Sequence, residues 1–434
     1  MKSKLSRRAF LKKTAVVTGG AIGFPSLVKS SALGKAGTIA PSNRITVGFI
    51  GTGGHGIGCN LRGFLAQPDA QAVALCDVDR RQLRRAAGAL KGKYGRDYND
   101  YFATQDWREV VARDDIDAIM VSTPDHWHVP ISIAAIKAGK DVCCEKPTLT
   151  IREGRVLSDT VKRYGAVFQT STEDRAMYVY HRMAELVRNG RIGKLHTIRV
   201  KLPGANSVRG NNQKIQPVPE GFDYDMWLGP APVSPYSPGR CHWNFRWILD
   251  YSGGQLTDWG AHLLDGAQWA NDTEYTGPIE IDGKGVFPKT GLYDTAVEYH
   301  IKYKYRNGVT MYVDSGGIDL RFEGTQGWVG NRGWRGKIEA SSPAILNSVI
   351  GPNEIHLYTC AGREHRNFLD CVKSRRNPYF PAEIGHRCCS VAHLGNISML
   401  LGRKLKWDPD KEIFPDDPGA NRMLSRSMRE PWTL

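Results

Sequence analysis

A glycine-rich turn directly after an apolar run constrains this chain more than any other feature. The run Ile45–Ile50 contains apolar, β-branched or small residues, as in a parallel strand that is covered on both faces. The glycines that follow have G-x-G-x-x-G spacing, and a helix after such a turn points its N-terminal N–H groups at a phosphate. The turn residues predicted to bind a dinucleotide are Gly51, Thr52, Gly53, Gly54, His55 and Gly56.

A single G-x-G-x-x-G motif is weak evidence in a chain with 47 glycines, so the flanking sequence must support it. A second apolar run, residues 72–76, ends in Asp77, about 20 residues after the turn. A carboxylate at that position binds the ribose hydroxyls of NAD. Alternatively, Asp77 caps the next helix. We predict NAD as the cofactor, and NADP stays possible because Arg80 and Arg81 could bind a 2′-phosphate.

The N-terminus carries an export motif. The sequence Ser6-Arg-Arg-Ala-Phe-Leu-Lys12 resembles the twin-arginine signal, and an apolar, glycine-rich segment and small residues follow it. Glycines and a proline in that segment disfavour the alternative, an amphipathic helix. We predict a signal peptide over residues 1–34, an arm over 35–43, and export to the periplasm or another exported location by the twin-arginine route.

The formal net charge of +15 does not indicate a nucleic-acid-binding protein. Seven of the Lys and Arg residues lie in the first 34 residues, which contain no acid, and the others are interspersed with Asp and Glu. No apolar run in the mature region reaches the roughly 18 residues that a membrane span needs. The sequence therefore predicts a globular protein without a nucleic-acid partner or a membrane span.

Strands and helices alternate up to about residue 170. Apolar strands are predicted at residues 116–122 and 141–144, with a helical segment between them. This alternation predicts right-handed crossovers and a parallel, doubly wound sheet, here assigned to a Rossmann domain over residues 44–170. Ligands of such sheets lie at the carboxyl ends of strands, so Thr123, Pro124 and the residues after Cys144 should face the cofactor.

His126 and His128 could suggest a metal site, but no Cys or carboxylate ligands accompany them, so we predict none. We expect His128 to line the nicotinamide pocket and His126 to be solvated. The nine cysteines show no C-x-x-C spacing and indicate small buried side chains, Cys59 among them, instead of a metal site or a disulfide framework.

The residues after the strand at 141–144 are Glu145-Lys146-Pro147. Together with the glycine turn, Thr123-Pro124 and His128, they resemble the Gfo/Idh/MocA family, which includes glucose-fructose oxidoreductase and inositol dehydrogenase. The resemblance covers about residues 43 to 408. It implies a cis peptide bond between Lys146 and Pro147, cofactor contacts from Glu145 and Lys146, and a second α/β domain with an open antiparallel sheet.

The chemistry of its side chain also supports a catalytic role for Lys146, independently of the family resemblance. An ammonium group beside a nicotinamide can hydrogen-bond the reacting oxygen and stabilise the negative charge that develops there. We expect burial and neighbouring charge to lower the pKa of Lys146. The alternative is a surface lysine paired with Glu145 or Glu153.

Asp258, His262 and Asp265 would lie on one face of a helix, since they are spaced i, i+4 and i+7. An Asp one turn from a His can orient the ring and stabilise its protonated form, as a general base requires. The resembled family has this pattern in its active site. We predict Lys146, Asp258 and His262 as catalytic and substrate-binding residues, and Trp243 as a further substrate contact. A buried His–Asp pair without a catalytic role is the alternative.

The second half of the chain has three predicted parts. Seven prolines between residues 203 and 240 exclude long regular elements and indicate an insertion near the substrate opening. Alternating segments between residues 279 and 329 predict an antiparallel sheet in a substrate and oligomerisation domain over 171–408. An extended tail is predicted over 409–434. The fold class is therefore α/β, with an N-terminal Rossmann parallel sheet and a C-terminal α+β domain with an open, mainly antiparallel sheet.

These features predict an NAD(P)-dependent oxidoreductase that transfers hydride between a nicotinamide cofactor and a hydroxyl or keto carbon of a sugar, inositol or sugar derivative. We expect a homo-oligomer through the open sheet. The alternative is a redox-neutral glycosidase or lyase of the same family, which oxidises its substrate transiently, eliminates and reduces back. Because an exported enzyme meets little free NAD(P), we expect it to carry a tightly held cofactor, with the insertion or the arm as candidates for covering it.

Overall fold

The computed structural model describes residues 39–205, 213–360 and 363–434. Ile45–Leu434 forms one compact unit, and the described residues before Ile45 belong to a separate one. In the described part of the first unit, Pro41–Asn43 is a 3₁₀ helix, and Nε of Arg44 donates a hydrogen bond to the carbonyl of Ile39 at 3.0 Å. The predicted leader, residues 1–34, and residues 35–38 of the predicted arm lie outside the described residues.

The first sheet of the second unit has six parallel strands in the order β3-β2-β1-β4-β5-β6. Neighbouring residues such as Phe49 and Ile50 belong to different apolar clusters, because helices cover both faces of the sheet. The strands are β1 (Ile45–Ile50), β2 (Ala70–Cys76), β3 (Phe102–Thr104), β4 (Ala118–Val121), β5 (Asp141–Glu145) and β6 (Phe168–Ser171). The helices are the π-helix Gly56–Leu61, α1 (Arg62–Leu65), α2 (Arg80–Tyr94), α3 (Trp107–Val111), α4 (Asp125–Lys137) and α5 (Ile151–Tyr164).

The strand order reverses between β1 and β4. Ile50, the last residue of β1, pairs with Cys76 of β2 on one side and with Val121 of β4 on the other. The carboxyl ends of these three strands therefore meet at one edge, where sheets of this kind bind their ligands.

Eight strands form the second sheet, in the order β13-β12-β11-β7-β10-β9-β8-β14. Neighbours run antiparallel except β7 and β10, which are parallel. Buried and more exposed residues alternate along β9 and β10, so one face packs on helices and the other faces outward. The strands are β7 (Leu195–Leu202), β8 (Glu280–Val286), β9 (Glu298–Lys304), β10 (Thr310–Ser315), β11 (Asp319–Gly324), β12 (Gly327–Arg332), β13 (Ile338–Ala340) and β14 (Leu405–Lys406).

Helices on the inner face of the second sheet complete this domain. Met183, Leu264, Ile301 and Val391 come from different helices and strands and lie in one buried apolar cluster. The predicted fold class is thereby confirmed. The remaining helices are α6 (Tyr178–Arg188), α7 (Tyr224–Leu228), α8 (Gln255–Asp258), α9 (Gly260–Ala270), α10 (Pro343–Leu346), α11 (Arg363–Ser374), α12 (Ala382–Leu401) and α13 (Pro418–Asn421), with 3₁₀ helices at Asp174–Ala176, His242–Trp247 and Arg422–Leu424.

The end of the chain contacts both sheets. On α11, Phe368 packs against Phe64 beneath the first sheet. In the tail, Leu424 belongs to the core of the second domain, whereas the ring of Trp432 lies 4.7 Å from that of Trp127 on α4. The tail, predicted as extended, thus contains a short helix, α13, and connects the two domains.

In its described part the proline-rich insertion contains one helix, α7, and shares a small aromatic cluster with residues 241–251 and Tyr293. It docks on the segment after β2: the N–H of Asp223 donates to the carbonyl of Val78 at 2.9 Å, and that of Arg80 donates to Gly221 at 3.0 Å. Gln105 bonds both carbonyls, at 2.7 Å and 3.2 Å. The insertion therefore lies beside the strand end that carries Asp77.

The helices and the cysteines test two of the sequence predictions. None of the helices in the described ranges has the length and apolar content that a bilayer span requires. All nine cysteines are free, and eight are buried, but Cys59 is exposed, which corrects the expectation that it would be buried.

Candidate active site

The glycine turn needs glycine at its positions for different reasons. Gly51 has a φ of +87°, and a Cβ there would lie 2.5 Å from the backbone of Ser122. A Cβ at Gly56 would lie 2.3 Å from the carbonyl oxygen of Gly51. A Cβ at Gly53 or Gly54 would meet no atom within 4 Å. The turn is therefore tight at its ends and open at its middle, as the pyrophosphate of a dinucleotide requires.

The Asp77 carboxylate holds this turn in place. Oδ2 accepts hydrogen bonds from the N–H and the hydroxyl of Thr52 at 2.7 Å and 3.2 Å, and Oδ1 accepts one from the N–H of Asp79. Burial raises the pKa of Asp77 to about 6 despite these donors. Asp79, not Asp77, is the N-cap of α2, because it accepts the N–H of Arg81. The helix-cap alternative for Asp77 is therefore wrong.

The two arginines that kept NADP possible are both paired within the protein. Arg81 bonds the Asp79 carboxylate, with a closest contact of 3.0 Å, and Nε of Arg80 donates to Gln105 at 2.8 Å. A 2′-phosphate would have to compete with these partners, whereas the Asp77 carboxylate suits a ribose hydroxyl. The geometry therefore favours NAD.

Glu145 joins the turn to the end of β5. Its carboxylate lies 2.9 Å from Nε2 of His55 and also accepts from the amide of Asn60 at 2.9 Å. The negative charge of Glu145 raises the pKa of His55 to about 11. Burial opposes ionisation of Glu145, but His55 lowers its pKa to about 2. The ion pair connects two of the predicted cofactor-binding positions.

His128 braces the loops at the ends of β4 and β5. Its buried ring lies 2.8 Å from the carbonyl oxygens of both Thr123 and Pro147. It therefore supports the predicted cofactor loop Thr123-Pro124 from behind instead of presenting an open ring to a nicotinamide. His126 is buried, not solvated as expected, and contacts the carbonyl of Trp227 at 2.8 Å. Burial lowers the pKa of His126 to about 4.

Lys146 reaches across to the second domain. Its peptide bond to Pro147 is cis, as the family resemblance implied. Nζ donates to Oδ1 of Asp258 at 2.7 Å and to the Asp258 carbonyl at 2.8 Å. Burial alone would lower the pKa of Lys146, but the carboxylates of Asp258 and Glu145 outweigh it and the net shift is upward. The expected downward shift is therefore wrong, as is the pairing with Glu145 or Glu153 at the surface.

Asp258 forms ion pairs with two positively charged side chains, Lys146 and Arg246. Its second oxygen, Oδ2, accepts from Nε of Arg246 at 3.1 Å. Burial would raise the pKa of Asp258, but Lys146 and Arg246 hold it well below its usual range. Asp258 therefore stays ionised and fixes the Lys146 ammonium group. Arg246, which the sequence did not indicate, is part of this arrangement.

His262 has a different carboxylate partner from the predicted one. Asp258 ends α8 and His262 lies on α9, and Trp259 between them keeps a right-handed helical backbone. Nδ1 of His262 lies 3.1 Å from Oδ2 of Asp174 and 2.8 Å from the hydroxyl of Thr172. The prediction that Asp258 orients the His262 ring is therefore wrong, although Asp258 and His262 are close enough to interact electrostatically.

Two tryptophans border the His262 ring. Trp334 donates from Nε1 to Asp174 at 3.1 Å, and its ring lies 5.9 Å from that of His262. The ring of Trp259 lies 5.8 Å from His262. Burial alone would raise the pKa of Asp174, but the neighbouring His262 ring helps to lower it below its usual value. In the part of the chain that the structure describes, Nδ1 makes the ring's polar contacts, so Nε2 is the nitrogen that can face a substrate.

Asp265 is structural. Arg175 donates two hydrogen bonds of 2.6 Å to its carboxylate and a third contact of 2.6 Å joins Arg175 to Glu274. Both side chains of the Asp265 pair are buried. This pair fixes α9 to the segment after β6, next to the Asp174 that holds His262.

Sequence reasoning missed several members of this site. Thr172 and Asp174 directly follow β6, so the rule that ligands lie at strand ends could have identified them. No comparable signal marks Arg246, Trp334 or Asn60. They become part of the site only through tertiary contacts.

The arrangement can transfer a proton and stabilise negative charge at a carbon–oxygen bond. A lysine held by one carboxylate and a histidine held by another lie at the carboxyl edge of a dinucleotide-type sheet. Within the described residues there is no group of three or more His, Cys, Asp or Glu side chains suited to a metal ion.

Comparisons with known proteins agree with this geometry. Residues 45–172 match the model of an oxidoreductase family's NAD-binding Rossmann fold, and residues 196–434 match the model of the same family's C-terminal alpha/beta domain. A glycosyl hydrolase family 109 protein of Shewanella sp. strain ANA-3 is 36% identical over 174 residues, which is 37% of this chain and 38% of the relative. An alpha-N-acetylgalactosaminidase of Shewanella oneidensis is 32% identical over 178 residues, 37% of each chain. The similarity thus spans less than half the length of these curated relatives.

Among solved structures, the WlbA dehydrogenase from Bordetella pertussis, determined with NADH and UDP-GlcNAcA, has the same fold. It is 15% identical, with a TM-score of 0.63 over 84% of this chain and 99% of that one. The turn, the strand-end residues and the two matched domains together show that this protein belongs to the Gfo/Idh/MocA oxidoreductase family and begins its second unit with an NAD-binding Rossmann domain.

Proposed function

We propose that the protein is an NAD-dependent oxidoreductase that transfers hydride between nicotinamide and a hydroxyl or keto carbon of a sugar, inositol or sugar derivative. The observation that carries the proposal is the meeting of two ion pairs, Lys146–Asp258 and His262–Asp174, at the carboxyl edge of the NAD-binding sheet. The open middle of the glycine turn and the Asp77 carboxylate fit the cofactor.

Lys146 and His262 have different roles at the reacting carbon–oxygen bond. When bound, NAD supplies a nicotinamide ring that accepts or returns a hydride. Nζ of Lys146 donates a hydrogen bond to the substrate oxygen and stabilises negative charge there. Asp258 orients that ammonium group, since both of its oxygens are held by cations.

His262 serves as the general base in this proposal. Nε2 takes the hydroxyl proton, while Nδ1 remains in contact with Asp174 and Thr172. The Asp174 carboxylate stabilises the resulting imidazolium and keeps the ring from rotating. Trp259 and Trp334 shield the ring on its sides.

Redox-neutral cleavage of a glycoside is the second candidate, because the curated relatives carry glycosidase names. In that reaction the same residues would assist a transient oxidation of the sugar, elimination of the aglycone and reduction back. Such a cycle needs no outside supply of NAD.

One experiment separates these candidates. The purified protein is denatured and the supernatant is analysed for released NAD(P). The intact protein is then incubated, without added NAD, with a panel of sugars and polyols and with matched glycosides. Mass spectrometry measures the masses of the products. Oxidised or reduced products support the oxidoreductase, and a cleaved sugar of unchanged oxidation state supports the second candidate. No turnover, with or without added NAD(P), contradicts both and favours an NAD-binding sensor.

Export and cofactor retention belong to the same proposal. The motif Ser6-Arg-Arg-Ala-Phe-Leu-Lys12 supports export of a folded, loaded protein. The insertion bonds Val78 and Arg80, beside the Asp77 strand end, which supports slow cofactor release. We expect ping-pong kinetics with a second substrate. Fractionation of cells that express the wild type or the Arg7→Lys/Arg8→Lys variant tests export. Cofactor that washes off during gel filtration contradicts retention.

Self-association through the second sheet completes the proposal. The outward face of this sheet carries cation–aromatic contacts, with Arg321 4.0 Å from the ring of Trp328 and Arg199 5.4 Å from that of Tyr312. Light scattering of the wild type and of Tyr312→Glu tests it: a smaller particle is expected for the variant. A monomeric wild type contradicts this part.

A further inference from the structure

Trp243 is an exposed tryptophan next to a buried catalytic arrangement. Its side chain is 63% exposed, whereas Trp227 and Trp247, close to it in sequence, lie in the buried aromatic core of the insertion region. Tryptophan offers a large, rigid aromatic face and is enriched where a binding surface is partly apolar and partly wet.

The indole is held rigidly on one face. The guanidinium of Arg246 lies 4.2 Å from the ring centre of Trp243 and 4.7 Å from that of Phe245, which is buried. Nε of the same arginine donates to Asp258, and another of its nitrogens donates to the Trp243 carbonyl at 3.4 Å. Because Arg246 is fixed at both ends, the indole forms the outer layer of a stack anchored in the core.

The backbone before Trp243 supports this position. His242 has a φ of +54°, a conformation that costs free energy for a residue other than glycine. Its ring stacks on that of Phe222 with centres 5.6 Å apart. The segment is therefore constrained by packing while the outer face of Trp243 is turned to solvent.

We propose that Trp243 forms a second subsite, which stacks on the ring next to the reacting one, so that the natural substrate is a glycoside with at least two rings. This inference rests on the proposed function. In the proposed function the reacting ring lies at Lys146 and His262. Asp258 holds Lys146 and also binds Arg246, whose guanidinium lies between Asp258 and the Trp243 ring. Arg246 covers one face of the Trp243 ring and the side chain is largely exposed, so the uncharged indole offers an apolar face, which suits the C–H face of a sugar or an aryl aglycone.

The test compares substrates that differ only in the second ring. The methyl glycoside, the para-nitrophenyl glycoside and a disaccharide of the best sugar in the panel are assayed with the wild type, Trp243→Ala, Trp243→Phe and Tyr164→Ala. Tyr164 is a matched control, since it is an exposed aromatic residue, 48% exposed, with the Arg163 guanidinium 5.9 Å from its ring. Gel filtration and thermal unfolding accompany each variant.

For Trp243→Ala we expect KM to rise about 3- to 10-fold for the two-ring substrates and less than about 2-fold for the methyl glycoside. Trp243→Phe should recover part of the loss, and Tyr164→Ala should behave as wild type. Equal effects on all three substrates, no effect at all, or a change of oligomeric state in Trp243→Ala overturn the subsite. A wild type that is inactive on every substrate contradicts the proposed function instead.

Discussion

Asp174 and His262 form the carboxylate–imidazole pair of this site: Oδ2 of Asp174 lies 3.1 Å from Nδ1 of His262, across two separate segments of the chain. Asp258, only four residues before His262, instead holds Lys146 at 2.7 Å. The site thus contains one carboxylate for the lysine and another for the histidine. The two proposed roles, charge stabilisation and proton transfer, can therefore be disturbed separately.

The first prediction concerns the Asp174 pair. Asp174→Asn should lower kcat about 100-fold with little change in KM, because the imidazolium loses its counter-charge while the lysine site stays intact. Trp334→Phe, which removes the indole donor to Asp174 but keeps an aromatic ring beside His262, is the milder comparison. Steady-state kinetics and bound-cofactor content are measured for both. An Asp174→Asn enzyme with wild-type kcat would contradict the role of this pair.

The second prediction concerns pH. We expect the ionised form of Asp77 to accept hydrogen bonds from the ribose hydroxyls of NAD, and burial raises the pKa of Asp77 to about 6. NAD affinity should therefore be constant well above pH 6, where Asp77 is ionised, and fall as the pH drops through about 6. Titration calorimetry from pH 5 to 8 with cofactor-free protein measures this. Asp77→Asn should bind about 10- to 100-fold more weakly, without that pH dependence. Loss of affinity on the alkaline side would contradict the assignment.

The third prediction concerns stability. Asp265→Asn should lower the free energy of unfolding by about 3 kcal/mol or more, because it leaves the buried Arg175 with only one carboxylate partner. Asp272→Asn removes a pair with Arg188 whose acid is exposed and should cost less than about 1 kcal/mol. Denaturant unfolding compares the two. Equal, small effects would show that the buried pair contributes little.

The fourth prediction concerns cofactor retention. Gln105→Ala removes the two hydrogen bonds that its amide donates to Val78 and Gly221, and the one that it accepts from Arg80. Because these bonds join the insertion to the segment after Asp77, NADH dissociation should become several-fold faster. Gln82→Ala, which affects only a contact with Arg85 on α2, is the control. Stopped-flow fluorescence gives both rates. If the Gln105 variant releases NADH at the wild-type rate, the insertion does not hold the cofactor.

Much of the fold could be predicted because the signals that specify its turns and strands lie within a few neighbouring residues. The glycine turn, the apolar strands and Gly51, which needs its positive φ, are readable within a few residues. Alternation between residues 279 and 329 likewise located strands β8 to β12 to within a few residues. The mixed pairing of β7 with β10 needs contacts between distant segments, which no periodicity contains.

The candidate site was predictable only in part for the same reason. Lys146, Asp258 and His262 were identified from motifs, and the structure brings them together. Helical spacing does not reveal their partners, because Asp258 pairs with Lys146 and Arg246, and Asp174, which is distant in sequence, pairs with His262. Burial and neighbouring charge predict a lowered pKa for Lys146. Its pKa is raised instead, because the carboxylates of Asp258, from the second domain, and of Glu145, from the first, outweigh burial.

Isotope transfer tests the central claim, hydride exchange at this site, most directly. A substrate from the panel that carries deuterium on its ring carbons is mixed with the NAD-loaded enzyme, the reaction is quenched within one turnover, and the released nicotinamide cofactor is analysed by mass spectrometry. We predict deuterium on the cofactor of the wild type and at least about 100-fold slower labelling with Lys146→Ala or His262→Ala. Product formation without any deuterium on the cofactor, or labelling that both variants sustain at the wild-type rate, would contradict the account.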